Sequence, residues 1–250
     1  LKNKIGWCSM TWNPVWGCNN KCEYCYARKM AKRFANKIAA REYIYLIYNI
    51  GKDCYFYERL KDFKPTFLNS QMFKKFPKKP QRIFVGSMSE IAHWDEVWIE
   101  KVIEKVKEYP QHIFQFLTRY PEIYDRYIFP KNCWLGVTIT REKDFERGIP
   151  YLFITSCNIT FVSVEPILEY INPRPFSNAN IDWVILGAET GNRKGKVIPE
   201  KEWVLDIVKY CDANKVPLYI KDNLGKYYPY YPDLGYIKEF PNYKSTIKIL

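Results

Sequence analysis

The segment Trp12-Asn13-Pro14-Val15-Trp16-Gly17-Cys18-Asn19-Asn20-Lys21-Cys22-Glu23-Tyr24-Cys25-Tyr26 places three of the chain's eight cysteines within eight residues. Cys18, Cys22 and Cys25 follow a Cys-x3-Cys-x2-Cys spacing, which lets three thiolates turn inward from one short loop. Soft sulfur donors of this kind suit an iron-sulfur cluster or zinc. Structural zinc takes four protein ligands, and a cubane cluster commonly takes four cysteines. No fourth ligand is evident: Cys8 lies ten residues before the triplet, and neither His93 nor His112 stands at a zinc-finger spacing from it. Three ligands would leave one iron of a four-iron four-sulfur (4Fe-4S) cluster open to a small molecule. Zinc held by the triplet and a distant ligand is the other reading.

The chain around this loop has 250 residues, a length at which an α/β barrel is commonly one domain. With 47% hydrophobic and 18% aromatic residues it belongs with globular rather than disordered chains. No apolar run approaches a membrane span and the start lacks a secretory h-region, so the expectation is a cytoplasmic protein without a membrane. Cysteines in that setting are expected free, buried or metal-bound, not paired in disulfides. A net charge of +12 permits attraction to nucleic acid, although an AT-rich genome produces the same Lys, Ile, Tyr and Asn bias.

Beyond the loop, residues 26–41 predict a helix with Met30, Phe34 and Ile38 every four residues and Ala27, Ala31 and Ala35 beside them. Lys29, Lys32, Arg33 and Lys37 fall on its other side, as a solvated face or a phosphate-binding stripe. Residues 42–79 form a basic, aromatic insertion in which Lys61, Lys64, Lys74, Lys75, Lys78 and Lys79 interleave with rings such as Phe63, Phe67, Phe73 and Phe76. Such interleaving can hold single-stranded nucleic acid, and it also describes a lid with rings inside and lysines outside.

Apolar and amphipathic runs then alternate. Strands are predicted near 5–12, 82–87, 113–118, 133–139, 158–164, 182–187 and 217–220, and helices near 96–108, 121–128, 143–147 and 199–213. Repeated strand-helix units imply a parallel sheet curled into a partial (β/α)6-type or near-complete TIM-like barrel. The core barrel is placed at residues 1–225 and an irregular cap at 226–250. Working groups in such barrels collect at the C-terminal strand ends. Those ends carry Ser87, Ser89, Glu90, Thr118, Arg119, Thr138, Thr140, Ser163, Glu165, Glu189 and Lys221. A Ser or Thr there is also the ordinary residue of a turn or helix cap. Lys221 is expected to pair with Glu165 or Glu189.

The cysteine spacing, with an aromatic residue before the third cysteine, resembles the radical S-adenosylmethionine (SAM) superfamily signature. The lead-in Thr11-Trp12-Asn13-Pro14 more narrowly resembles a phage- and prokaryote-encoded radical SAM family distantly related to spore photoproduct lyase. Further matches are Val85-Gly86-Ser87-Met88-Ser89-Glu90, Phe116-Leu117-Thr118-Arg119, Ser163-Val164-Glu165-Pro166, Trp183-Val184-Ile185-Leu186-Gly187-Ala188-Glu189 and Pro217-Leu218-Tyr219-Ile220-Lys221.

The resemblance implies a radical SAM core, a 4Fe-4S cluster on Cys18, Cys22 and Cys25, SAM on the open iron, and an external electron donor such as a flavodoxin or ferredoxin. Tyr24 or Tyr26 would border the adenine. Ser87, Ser89 and Glu90 stand where relatives receive the SAM amino group on a Gly-Gly-Glu-like turn, a departure from the usual residues. Thr118 and Thr138 would bond the ribose or carboxylate, Arg119 the carboxylate, and Glu165 the cofactor. Cys133, Glu165, Glu189 and Lys221 are the remaining catalytic candidates, Cys133 as a hydrogen donor to a product radical. The substrate expected is nucleic acid or its components. A peptide, a small metabolite, a zinc-braced binding module and an electron-transfer protein are the alternatives.

Overall fold

Apolar runs flanked by amphipathic ones fold here as parallel strands covered by helices, the arrangement that buries a strand on both faces. The computed structural model describes residues 5–49, 55–152, 159–179, 181–228 and 237–241. Chain contacts divide it into two units, residues 8–116 and residues 117–250 together with 1–7.

In residues 8–116, strand β1 (Met10–Trp12) leads through Pro14 into the short β2 (Val15–Trp16), and the cysteine loop then opens helix α1 (Tyr26–Asn49). Two further helices, α2 (Tyr55–Lys61) and α3 (Asn69–Met72), flank β3 (Thr66–Phe67). The unit continues with β4 (Arg82–Val85), α4 (Glu96–Lys107) and β5 (Ile113–Thr118), whose last two residues lie in the other unit. β4 pairs in parallel with both β1 and β5, while β2 and β3 make a separate antiparallel ribbon.

The buried stripe of α1 is Ala27, Ala31, Ala35 and Ile38, packed with Leu60, Phe63, Leu68 and Met88, whereas Met30 is 40% exposed. Small side chains let the helix backbone approach its neighbours, so alanine spacing outranks the larger Met30-Phe34-Ile38 series. Lys29, Lys32, Arg33 and Lys37 are exposed. The insertion follows the plainer of its two descriptions: Phe63, Phe67 and Phe76 are buried, and Lys61 and Lys64 lie outside. Phe73 is an exception at 64% exposure. Lys74 is another, half-sunk and donating to the Thr11 carbonyl at 3.3 Å, with burial lowering its pKa.

In the other unit, β6 (Cys133–Thr138), α5 (Asp144–Leu152), β7 (Ile159–Val164), β8 (Trp183–Leu186), α6 (Lys201–Ala213), β9 (Leu218–Ile220) and α7 (Asp222–Gly225) follow in chain order. One face of its strands, including Val137, Val162, Val184, Leu186, Leu218 and Ile220, packs with Phe145 and Ile149 of α5 and Val204, Ile207 and Cys211 of α6. The alternate residues Trp134, Phe161, Trp183 and Tyr219 form an aromatic cluster with Trp7 and Phe240. Gly136 makes room for it, because a Cβ there would lie 2.4 Å from the Phe161 ring.

Among the described residues the main sheet has seven strands in the order β1-β4-β5-β6-β7-β8-β9. Chain order and sheet order coincide once the β2-β3 ribbon is set aside, which is the α/β partial-barrel class expected. Several boundaries differ from expectation. The first strand is three residues long, α1 runs on to Asn49, the Pro121 segment is a 3-10 helix (Pro121–Arg126), and α6 begins at Lys201 with Pro199 just ahead of it. Most of the expected cap, and Cys54 and Cys157, lie outside the described residues. Of its described parts, 226–228 and 237–241, the second runs antiparallel beside β9 and covers that edge: Ile220 N–H donates to Ile237 and Glu239 N–H to Leu218, each at 2.9 Å. No described helix is long and apolar enough to cross a membrane.

Candidate functional site

The cysteine loop is clamped from two sides by backbone hydrogen bonds. Gly17 N–H donates to the Met88 carbonyl at 3.0 Å, and Cys18 N–H to the Phe63 carbonyl at 2.9 Å. Leu68 N–H reaches the Pro14 carbonyl at 2.7 Å, and the β2-β3 register sets Trp16 opposite Thr66. Gly17 fits between these walls only as glycine. Its φ is +108°, and a Cβ would lie 2.1 Å from the Lys64 carbonyl oxygen. The stretch from Phe63 to Leu68, read in the sequence as part of a basic, aromatic insertion, is thus a brace for the cysteines.

All three thiols are free and partly buried. Asn20 N–H donates to Cys18 Sγ at 3.3 Å, and Arg28 N–H, in the first turn of α1, to Cys25 Sγ at 3.4 Å. Such N–H···S bonds orient thiolate ligands and tune a bound centre. Arg28 closes the loop by donating to the Asn20 carbonyl at 2.7 Å while its guanidinium lies over the Phe63 ring. Burial pushes the Cys18 thiol up to about 12, and negative charge on Glu90, Cys22 and Cys25 adds to this against the Asn20 hydrogen bond.

Among the described residues no group of three His, Cys, Asp or Glu side chains converges closely enough to hold a single metal ion. A cubane cluster makes a different demand, since each cysteine ligates its own iron and the sulfurs need not meet at one point. Three soft donors on one braced loop, two of them receiving backbone N–H bonds, fit such a group.

His93 stands at this loop although its sequence position gave no hint of it. Its Nδ1 lies 3.7 Å from Cys18 Sγ and accepts the Asn19 N–H at 3.3 Å, and burial lowers its pKa. Asn13 is a second missed residue: its Oδ1 accepts from both the Ser87 hydroxyl and the Met88 N–H at 3.1 Å. Ser87 is thereby placed beside the loop, and the exposed Tyr26 donates to the Ser87 carbonyl at 2.8 Å. Ser89 accepts from Trp94 Nε1 at 3.1 Å, and the buried Glu90 caps the following 3-10 turn through Ala92 N–H. Tyr24 is partly buried within the loop. The structure thus brings Cys18, Cys22, Cys25, Tyr24, Tyr26, Ser87, Ser89 and Glu90 into one unit.

On β5, Gln115 is fully buried, and neither of its amide atoms has a hydrogen-bond partner among the described residues. It shares a sheet face with Phe84 and Thr11. Its signal in the sequence was a lone amide in the apolar run Ile113-Phe114-Gln115-Phe116-Leu117.

In residues 117–250 the strand ends carry a second polar set. Thr118 accepts from Tyr120 N–H at 3.0 Å, a turn-capping bond. Arg119 donates to Thr140 Oγ1 at 3.3 Å and lies 3.7 Å from Asp144, which also gathers the Thr140 hydroxyl and the N–H groups of Thr140 and Arg141. Thr138 and Ser163 face each other in register on β6 and β7. Lys221 pairs with Glu165. Glu189 is instead gripped by Arg193, whose Nε and Nη2 each lie 2.9 Å from its oxygens, and that hydrogen bonding holds the carboxyl below its usual range. Asn223 fixes the same loop through Ala188. Cys133 begins β6, five residues and about 16 Å from Thr138 at the other end of the strand. It is fully buried there, away from the strand end where a hydrogen donor would work.

Solved structures that resemble this fold include two variants of spore photoproduct lyase. The Tyr-to-Phe variant matches at a TM-score of 0.50 and 12% identity, over 83% of this chain and 74% of that one. The Cys-to-Ser variant matches at 0.51 and 11%, over 86% and 76%. At such identities the likeness is one of fold. No curated protein matches the sequence. A family model described as "Protein of unknown function (DUF5131)" matches residues 2–235, and the chain belongs to that family.

Proposed function

We propose that this chain is a radical SAM enzyme in which Cys18, Cys22 and Cys25 hold a 4Fe-4S cluster and whose substrate is nucleic acid or one of its components. The observation that carries the reading is the cysteine loop itself, three free thiols braced at the C-terminal end of the first strand of a parallel sheet. Held by Cys18, Cys22 and Cys25, such a cluster would supply a single electron for reductive cleavage of a carbon-sulfur bond of SAM, the source of a radical able to take hydrogen from a substrate.

The chain's own contribution is to hold and orient. Gly17 and the 63–68 brace fix the direction of the three sulfurs, and N–H groups of Asn20 and Arg28 polarise two of them. Ser87, Ser89 and Glu90 offer hydroxyl and carboxylate groups to the amino end of SAM, and Tyr26 offers a ring to its adenine. A flavodoxin- or ferredoxin-type donor would deliver the electron.

Nucleic acid as substrate is supported by the net charge of +12 and by the spore photoproduct lyases of similar fold. The test is anaerobic incubation of reconstituted protein with SAM and a chemical reductant. Methionine and 5'-deoxyadenosine are expected from the wild type and not from Cys22→Ala. Equal release by that variant would contradict the assignment.

A further inference from the structure

The strands of residues 117–250 build a layered face. Gly136, Phe161 and Trp183 are in register at one level, and Thr138, Ser163, Ile185 and Tyr219 at the next. The rings of Phe161, Trp183 and Tyr219 pack on one another and fill the lower layers. One step further along the chain the residues are Glu165, Gly187 and Lys221, and the Glu165–Lys221 ion pair crosses above Gly187.

Strands next-but-one to each other are roughly 9.5 Å apart, a gap that two long side chains close only if the strand between carries nothing. A Cβ at Gly187 would lie 3.0 Å from Glu165 Cγ and Cδ and 3.1 Å from Lys221 Cδ. The glycine therefore permits the bridge. Beside it, Ser163 is 1% exposed and its hydroxyl has no hydrogen-bond partner among the described residues. Buried hydroxyls are nearly always satisfied, so this one is open to a partner beyond the described residues.

The bridge leaves defined capacity. Among the described residues Lys221 uses one of its three N–H donors, and Glu165 one of several acceptor sites. Their charges cancel, so a phosphate would meet the carboxylate as well as the ammonium. A neutral planar group with an N–H beside a carbonyl satisfies both members at once.

We propose that Glu165, Lys221 and Ser163 form a binding site for the amide-like edge of a nucleobase, the N–H donating to Glu165 and the carbonyl accepting from Lys221 or Ser163. Uracil, thymine and guanine present this edge. The inference deepens the functional reading above and rests on its nucleic-acid substrate class. Adenine, the base of SAM, offers an amino group and a ring nitrogen but no carbonyl, which separates the two sources of a base.

The experiment is calorimetric titration of the reconstituted full chain with uridine, N3-methyluridine and S-adenosylhomocysteine, with iron counted on every sample. Uridine should bind about tenfold or more tightly than N3-methyluridine, whose N–H is blocked. Glu165→Gln should weaken uridine about tenfold, more than it weakens S-adenosylhomocysteine. Ser163→Ala keeps the ion pair, so its smaller loss for uridine reports on the site even if the Glu165 variant misfolds. Equal affinity for the two uridines, no uridine binding at millimolar concentration, or a Glu165→Gln effect confined to S-adenosylhomocysteine would overturn the proposal. Full iron without discrimination between the uridines sinks this inference alone, whereas absent iron with discrimination intact sinks the radical SAM reading alone.

Discussion

Replacing Gly17 with Ala attacks the feature that sets the three cysteines in place. The new methyl group would sit 2.1 Å from the Lys64 carbonyl oxygen and 2.9 Å from that of Phe63, and both obstacles are backbone. No side-chain rotation relieves the clash, so one wall of the loop must move. Holding alanine at positive φ costs about 1–2 kcal/mol. Moving the wall breaks the Gly17–Met88 and Cys18–Phe63 hydrogen bonds, about 0.5–1.5 kcal/mol each. The sum is roughly 2–5 kcal/mol, or a fall in melting temperature of about 4–20 °C at roughly 2–4 °C per kcal/mol for a chain of this size. Thermal unfolding followed by circular dichroism checks the stability, and iron and sulfide bound after reconstitution check the site. A Gly17→Ala protein with wild-type melting and wild-type iron would refute the clamp.

Three other perturbations probe different parts of the fold. Gly136→Ala drives a methyl group into the Phe161 ring and should cost about 1–3 kcal/mol, read as a lower urea midpoint with unchanged slope. Gln115→Leu removes a buried amide with no partner among the described residues and should raise stability by about 1–3 kcal/mol; a destabilised variant would mean that the amide is satisfied in solution. Arg193 holds the buried Glu189 carboxyl below its ordinary value of 4.5, so the pair's contribution is present above that value and is lost as pH falls through the lower folded value. Arg193→Met should therefore cost roughly 3–5 kcal/mol near neutral pH and progressively less in acid, as the stranded carboxyl protonates. A penalty independent of pH would refute that sign.

The seven strands of the main sheet were legible because most are apolar runs between amphipathic helices, whereas the two-residue β2 and β3 were too short to show a pattern. Boundaries were less so: α1 continues to Asn49 through residues whose Tyr-rich pattern no longer shows helical periodicity. The cysteines announced themselves by spacing. Their supports did not, since a brace made of the Phe63 and Met88 carbonyls leaves no signature in residue type. His93 and Asn13 reach Cys18 and Ser87 across more than seventy positions of sequence, a proximity that only the sheet register creates. The partners of Glu165 and Glu189 stayed open in the sequence for a similar reason. Gly187 frees Lys221 to bridge to Glu165, while Glu189 finds Arg193 four residues on.

The most direct test of the central claim is metal and sulfide analysis of anaerobically reconstituted protein, alongside single Cys18→Ala, Cys22→Ala and Cys25→Ala variants. The account predicts about four irons and four sulfides per wild-type chain, with loss in each variant. Zinc without iron, or an iron content that none of the three substitutions changes, would contradict it.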